Sequence, residues 1–592
     1  MHDARAAGEG TSGHGDPPRG LPLHAIRNMA LRCGVADWHA CAAISDTVAA
    51  MTRLTQLSLC VVEPSAGLHA LARSLHHCAA LQEVEVLSVE PSCPSPNVWL
   101  HLLAGFAHCV VLRRLRFNAC TADAAAHERL GAALTPHARG LTAVTSLTLG
   151  SPHDSTPALR ACAPLSATLQ ELSLFDYGLA GREAEPLAHL TALTALTVDG
   201  EQCSVPLPLR ALQQLRCLIV DVGEVTGDVL SEVAHATQLS KLTFPVIGDT
   251  DIQLTEGVCS LQQLQHLCWV TQWPLQSEVA TASVAKLTML GRLTYLQVNV
   301  GRPLALVQLA SFGKLPHLRS CTLRMHDVAD SVPPCAGLFP SPRHLRLHTY
   351  RPANDSAGAA VRMTWLLRGL TVLTRLYLVL GCDGPPSTMG AALGALAACT
   401  GLQQLELLQG EVRAGADSAS CAAALRQLTC LTKLCTTHVQ YEAAALDSLV
   451  RAAAALPVLQ EVCIYRIVES MLQSACASAR EVAADTAQQQ AATLRAFAES
   501  CATPGAWAHT SMLCLDCLGT FDAARLGNQQ QVTAMTSDTL RQCIEVELLQ
   551  KVIEGHKITL RWTSSCCRGR QRGRACWLRC VRKVTAAPWR SV

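Results

Sequence analysis

Apolar residues recur along most of this chain in one six-residue phrase: apolar, two variable residues, apolar, one variable residue, apolar. It reads Leu54-x-x-Leu57-x-Leu59, Leu112-x-x-Leu115-x-Phe117, Leu169-x-x-Leu172-x-Leu174 and Leu402-x-x-Leu405-x-Leu407. No helix face has this spacing, and the last two apolar residues lie two apart, as on one side of a strand. Aligned on the fourth position, about sixteen phrases run through Leu57, Val84, Leu115, Leu147, Leu172, Leu196, Leu218 and Leu242. They continue through Leu267, Leu296, Cys321, Leu345, Leu376, Leu405, Leu434 and Val462, at intervals of 22 to 32 residues. A phrase returning at that interval predicts stacked units that bury their core only against their neighbours.

Interval length predicts what returns the chain from one strand to the next. The units of 27 to 32 residues have room for a helix, and residues 69–78, 97–109 and 449–456 read as such. The units of 22 to 25 residues in the middle have less room, which predicts short or 3₁₀ turns.

The phrase resembles the leucine-rich repeat family, whose unit reads L-x-x-L-x-L-x-x-N/C-x-L, over roughly residues 51–466. LRRLRFNAC keeps the full turn signature, with Cys120 at the Asn/Cys position. Most units replace it, as where Phe175-Asp176-Tyr177 follows Leu174. The resemblance implies an α/β solenoid, a horseshoe with a parallel β-sheet on its concave side and helices or short turns on its convex side. It also implies a non-enzymatic scaffold that binds a protein partner through the concave face.

The flanks differ from the repeats. Residues 1–20 are polar and Gly-rich and read as a disordered N-terminus. Residues 21–50 read as helical. They are either a cap on the first repeat or a degenerate F-box-like segment (Leu21-Pro22, Ile26, Asp37-Trp38, Ile44), the module that docks a ubiquitin-ligase adaptor. After Ile464 the phrase stops. Residues 467–555 read as a helical region, in which Thr536-Ser537-Asp538 caps a helix carrying Leu540, Ile544, Leu548 and Val552, with Gly555 at its end. Residues 556–592 form a basic, cysteine-containing tail, read as disordered.

Charge and cysteine usage narrow the function classes. The net charge is +2, so no global field calls for nucleic acid. From Gly555 onward there are ten Lys or Arg and no Asp or Glu, so the rest of the chain is net acidic. RNA binding is therefore expected, if anywhere, through the arginines of the tail (Arg568, Arg570, Arg572, Arg574) near Trp577. No apolar run follows a basic start at the N-terminus, and no stretch of 18 apolar residues exists. The expected setting is intracellular and cytoplasmic, with reduced thiols rather than a disulfide framework. The 29 cysteines are scattered, and many fall at core-facing repeat positions such as Cys321. Cys514-x-x-Cys517 and Cys576-x-x-x-Cys580 are half-sites for zinc with the wrong separation for a common ribbon.

No catalytic or cofactor motif is present: no Gly-x-Ser-x-Gly, no HExxH, no phosphate-cradling glycine loop. No enzyme activity, cofactor, metal or small-molecule substrate is expected. The candidate site is instead the strand face. Third, fifth and seventh phrase positions point away from the core, and on three consecutive units they supply Arg324, then His344, Arg346 and His348, then Arg375 and Tyr377. Adjacent strands lie about 4.8 Å apart, so these six side chains are expected to form one basic, aromatic patch that docks an acidic segment or a phosphate group. Phe175, Asp199 and Asp221 lie several units earlier, on an acidic flank. Two rival roles remain for the same fold: a substrate-recognition subunit of an SCF-type ubiquitin ligase, and a structural component of a cytoskeletal or ciliary axoneme assembly.

Overall fold

The computed structural model describes residues 25–33, most of 46–465 apart from segments that leave the strands, and then residues 512–516 and 559–561. Two compact units divide the chain at Leu239 and Ser240.

The first unit carries β1 (Asn28–Cys33), β2 (Gln56–Val61), β3 (Glu83–Ser88), β4 (Arg114–Ala119), β5 (Ser146–Gly150), β6 (Glu171–Phe175), β7 (Ala195–Cys203) and β8 (Cys217–Val225). Each pairs parallel with the next, and fourth phrase positions face one another down the stack: Leu57 with Val84, Val84 with Leu115, Leu115 with Leu147, Leu147 with Leu172, Leu172 with Leu196, Leu196 with Leu218. The second unit carries β9 (Lys241–Val246), β10 (His266–Thr271), β11 (Tyr295–Val300), β12 (Ser320–Met325), β13 (His344–Thr349), β14 (Arg375–Leu380), β15 (Gln404–Val412), β16 (Lys433–Tyr441), β17 (Glu461–Tyr465), β18 (Met512–Asp516) and β19 (Thr559–Arg561). Its strands are also parallel and keep the same register from Leu242 to Val462. Every phrase aligned in the sequence is a strand, and within each unit the alignment is the hydrogen-bonded register.

Two backbone contacts recur and explain why. The N–H of the first phrase leucine bonds the carbonyl three residues before it, as in Leu112 to Cys109, Leu293 to Leu290 and Leu431 to Leu428 (2.9 to 3.0 Å). Then one carbonyl at each strand entry takes two consecutive N–H groups from the next repeat. The Gln265 carbonyl accepts from Thr294 and Tyr295, Arg343 from Thr374 and Arg375, and Gln403 from Thr432 and Lys433 (2.8 to 3.0 Å). The threonine hydroxyl donates to that same carbonyl at all three sites, each at 3.0 Å. The first unit repeats this at Thr55 on Arg27 and Thr194 on Gln170.

The phrase leucines fill the core between the strands and the return segments. Leu54, Leu57 and Leu59 are at most 2% exposed, and the equivalent positions are likewise buried among the described residues of β3 to β16. Each such side chain contributes about 1.5–3 kcal/mol by leaving water. Most of the described return segments follow the interval rule, although the 29-residue unit between β10 and β11 shows the 3₁₀ turn Leu287–Met289 and the 25-residue unit before β10 is helical at 256–259. Long units carry α1 (Ala66–Ser74), α2 (Pro96–Ala107), α3 (Ala124–His137), α5 (Ser387–Leu396), α6 (Ala416–Gln427) and α7 (Ala443–Ala454); the 25-residue unit after β5 carries the short α4 (Thr156–Ala161). The tighter units return through 3₁₀ turns such as Glu185–His189, Val233–His235 and Phe312–Lys314.

The structure corrects two readings of the flanks. Residues 28–33, expected to be helical, are strand β1, whose Met29 and Leu31 face Leu57 and Leu59 of β2. Ile26-x-x-Met29-x-Leu31 is itself a copy of the phrase, and the backbone follows it. Helix is present at residues 46–50, while 34–45 lie outside the described residues. Past the expected end of the repeats, β18 and β19 extend the ladder, with Leu513 opposite Val462 and Leu560 opposite Leu513. Their first phrase position is polar (Thr510, Lys557), which hid them. The 536–555 helix, the tail beyond 561, Cys120, Cys517, Cys576 and Cys580 all lie outside the described residues.

Close packing of α1 against α2 depends on Gly105. A Cβ there would meet the Ala72 carbonyl oxygen of the neighbouring helix, and backbone cannot swing aside as a side chain can. Gly105→Ala therefore lowers the unfolding midpoint, by about 1–3 kcal/mol of overpacking, although alanine favours an isolated helix by about 1 kcal/mol. A raised midpoint in urea unfolding would show that the helices separate freely. The opposite sign is expected at Thr436. This residue is fully buried at a position that holds leucine or isoleucine in the neighbouring strands, and its hydroxyl has no hydrogen-bond partner among the described residues. Thr436→Val keeps the shape and removes an unpaired polar atom, raising stability by about 1–2 kcal/mol in the same assay.

Candidate functional site

On the open face of the second unit the register sorts side chains into three rows. The third-position row reads Ser320, His344, Arg375, Gln404, Lys433 and Glu461. The fifth-position row reads Gln297, Thr322, Arg346, Tyr377, Glu406 and Cys435. The seventh-position row reads Asn299, Arg324, His348, Val379 and Leu408. All six residues singled out in the sequence lie in these rows on three adjacent strands, β12 to β14.

Their arrangement is a diagonal. Arg324 stands at the seventh position of β12, Arg346 at the fifth of β13 and Arg375 at the third of β14. One strand across and two residues along is a step of about 8 Å between Cα atoms, from about 4.8 Å between strands and about 3.3 Å per residue. Arg346 and Arg375 are exposed and Arg324 is half-buried. None of the three has an ion pair among the described residues. Arg346 stacks its guanidinium over the Tyr377 ring, 4.0 Å from the centroid, and His348 tilts against the same ring at 5.3 Å. Tyr377 thereby holds one arginine of the diagonal in place without neutralising it.

The two histidines do not add to the positive charge near neutral pH. Burial pushes the His348 pKa down to about 4, with the Arg324 and Arg346 charges pushing the same way. Burial also lowers His344, helped by Arg375 and Arg343. The expected basic character of the patch therefore rests on the arginines, with neutral imidazoles between them.

Other rings and charges flank this region. His266 and Tyr295 stack on β10 and β11 with centroids 3.9 Å apart and planes 3° from parallel. Glu406, next to Tyr377 in the fifth-position row, bounds the patch on its other side. The sequence reading missed it, although Leu405-Glu406-Leu407 placed it plainly in the phrase. Farther on, Lys433 and Glu461 form an ion pair at 3.1 Å. Of the acidic flank, Asp199 and Asp221 stand opposite each other on β7 and β8 in the first unit, with Phe175 at the end of β6. Cys514, half of the proposed zinc spacing, lies on β18 opposite Cys463. Among the described residues no group of three His, Cys, Asp or Glu is placed to hold a metal ion, and no helix is long and apolar enough to cross a membrane.

No protein-family model and no curated protein matches the chain. Among solved structures it is similar to a leucine-rich repeat protein of Leptospira interrogans, 14% identical, covering 66% of this chain and 92% of that one at a TM-score of 0.39. It is also similar to internalin C2 of Listeria monocytogenes, 18% identical, covering 35% of this chain and 83% of that one at a TM-score of 0.23. The assignment of the repeat fold stands on the strand register itself.

The depressed His348 pKa sets a pH dependence with a definite sign. The unfolded chain takes up a proton near pH 6.5 and the folded one only near pH 4. Between those values the unfolded state binds more protons, so the stabilisation present above pH 6.5 is lost as pH falls toward 4. His348→Gln, neutral throughout, should narrow the gap between urea midpoints measured at pH 7 and pH 4.5. An unchanged gap would place the His348 titration near that of a solvated imidazole.

Proposed function

We propose that this leucine-rich repeat protein is a non-enzymatic binding scaffold that captures an acidic or phosphorylated extended segment of a protein partner along the Arg324–Arg346–Arg375 diagonal. Parallel-sheet repeats present a rigid face, so binding there costs little ordering of the scaffold. The observation that supports the reading most is the diagonal itself, three arginines unpaired among the described residues and about 8 Å apart. An extended chain places alternate side chains about 6.6–7 Å apart, so acidic groups on every second residue reach successive arginines with a small tilt. Two like charges about 8 Å apart in water repel by roughly 0.5 kcal/mol. A carboxylate or phosphate between them reverses that sign and allows bidentate hydrogen bonds. His344, His348 and Tyr377 then supply neutral contacts around the charged line. Glu406 repels an acidic segment beyond β14 and fixes where it ends.

The test uses a fluorescent peptide of alternating Glu and Gly and its Lys–Gly counterpart, followed by anisotropy against the full chain. The acidic peptide should bind, weaken steeply with added salt, and lose about tenfold or more in affinity in the Arg324→Glu, Arg346→Glu, Arg375→Glu variant. Arg53→Glu, an exposed arginine of the first unit, should change nothing. Equal binding of both peptides, or an unaltered affinity in the triple variant, would sink the proposal.

A further inference from the structure

The open face also carries a thiol pair that the binding reading leaves unused. Cys435 and Cys463 stand directly opposite each other in the fifth-position row, on adjacent strands β16 and β17. Registered residues on neighbouring parallel strands have Cα atoms about 4.8 Å apart, inside the range of about 4.4–6.8 Å that a disulfide spans. Both side chains project on the same face. Cys435 is half-buried and Cys463 is 4% exposed. So Cys435 is the partly exposed member of the pair and Cys463 the sheltered one.

We propose that Cys435 and Cys463 are a peroxide-responsive dithiol, a covalent modification site in which Cys435 is the attacking thiol and Cys463 the resolving one. The Cys435 thiolate attacks one oxygen of hydrogen peroxide, the O–O bond breaks, and hydroxide leaves and takes up a proton. The product is a sulfenic acid on Cys435. The Cys463 thiol then attacks that sulfur, gives up its proton, and water departs as the S–S bond forms. Two thiols and one hydrogen peroxide become one disulfide and two waters; the thiols lose two electrons and the peroxide gains them.

The surroundings suit the roles. The Cys435 pKa lies at about 7: the hydrogen bond with the Cys463 thiol lowers it most, and the Thr437 hydroxyl, 3.7 Å from Cys435 Sγ, and the Lys433 charge act the same way, against burial and the Glu406 charge. Core cysteines show the contrast. Burial holds Cys78, Cys259 and Cys399 up at about 11 and Cys109 and Cys162 up at about 12, which leaves them protonated and inert near neutral pH.

Trypsin cuts after Lys433, Arg451 and Arg466, so Cys435 and Cys463 fall in separate peptides, 434–451 and 452–466, each with one cysteine. The experiment treats the intact full chain with hydrogen peroxide, blocks remaining thiols with iodoacetamide, and digests without reductant. The linked pair 434–451/452–466 should appear at the lowest peroxide dose, at about tenfold lower concentration than oxidation of any core cysteine. In Cys463→Ser, dimedone should trap a persistent sulfenic acid on Cys435. In Cys435→Ser, Cys463 should stay reduced at the same dose. A linked peptide that is absent from the intact chain, or one joining Cys463 to Cys514 instead, would overturn the proposal. So would equal dimedone labelling of Cys435 with and without Cys463.

Discussion

One carbonyl per repeat holds this architecture in register. At the entries to β2–β8 and β10–β17 a single backbone oxygen accepts two successive N–H groups of the following unit, and often a threonine hydroxyl as well. A buried backbone donor without a partner costs roughly 1–3 kcal/mol, and slipping the next strand by one residue would strand both. The same slip would also turn its leucines to water. Polar and apolar terms thus select the same alignment, which is why, within each unit, phrases of unequal spacing give strands paired without a shift. Irregularity is exported to the back of the stack, where helices and 3₁₀ turns absorb the difference in length.

That division of labour explains what was legible in the sequence. The strands were readable because their signal is a hydrophobic spacing with no competing solution. The six face residues were placeable because a strand admits only two directions for a side chain. The physical state of the patch was not readable. Nothing in His344-Leu345-Arg346-Leu347-His348 shows that burial, helped by neighbouring guanidinium charges, keeps both imidazoles neutral. Glu406 and the Cys435–Cys463 pairing were implicit in the phrase but become visible only when one row is followed across five strands. Strand β1 was hidden by a different effect. Alanine-rich sequence around it favours helix locally, and the edge of the sheet overrides that preference by offering the backbone a partner. Strands β18 and β19 lack the apolar first position that identifies the other units.

The open face of the second unit is accordingly a graded surface. Stacked rings lie on β10 and β11, arginines without an ion pair among the described residues and neutral histidines on β12 to β14, and a carboxylate, an ion pair and two thiols on β15 to β17. The buried side of the same strands is mostly leucine, with Thr436 its polar exception among the described residues. One side of each strand is fixed by packing and the other is free to vary, so binding character changes from strand to strand without disturbing the fold.

Such a ladder is editable by whole units. Because each entry carbonyl serves only the next repeat, one additional unit inserted between β13 and β14 would satisfy every backbone group it disturbs. It would also move Arg375 one strand farther from Arg346, breaking the diagonal while leaving the core intact. New recognition surfaces in this architecture can therefore arise by duplication or loss of a single segment of some 25 residues, on the spacing already present in the chain.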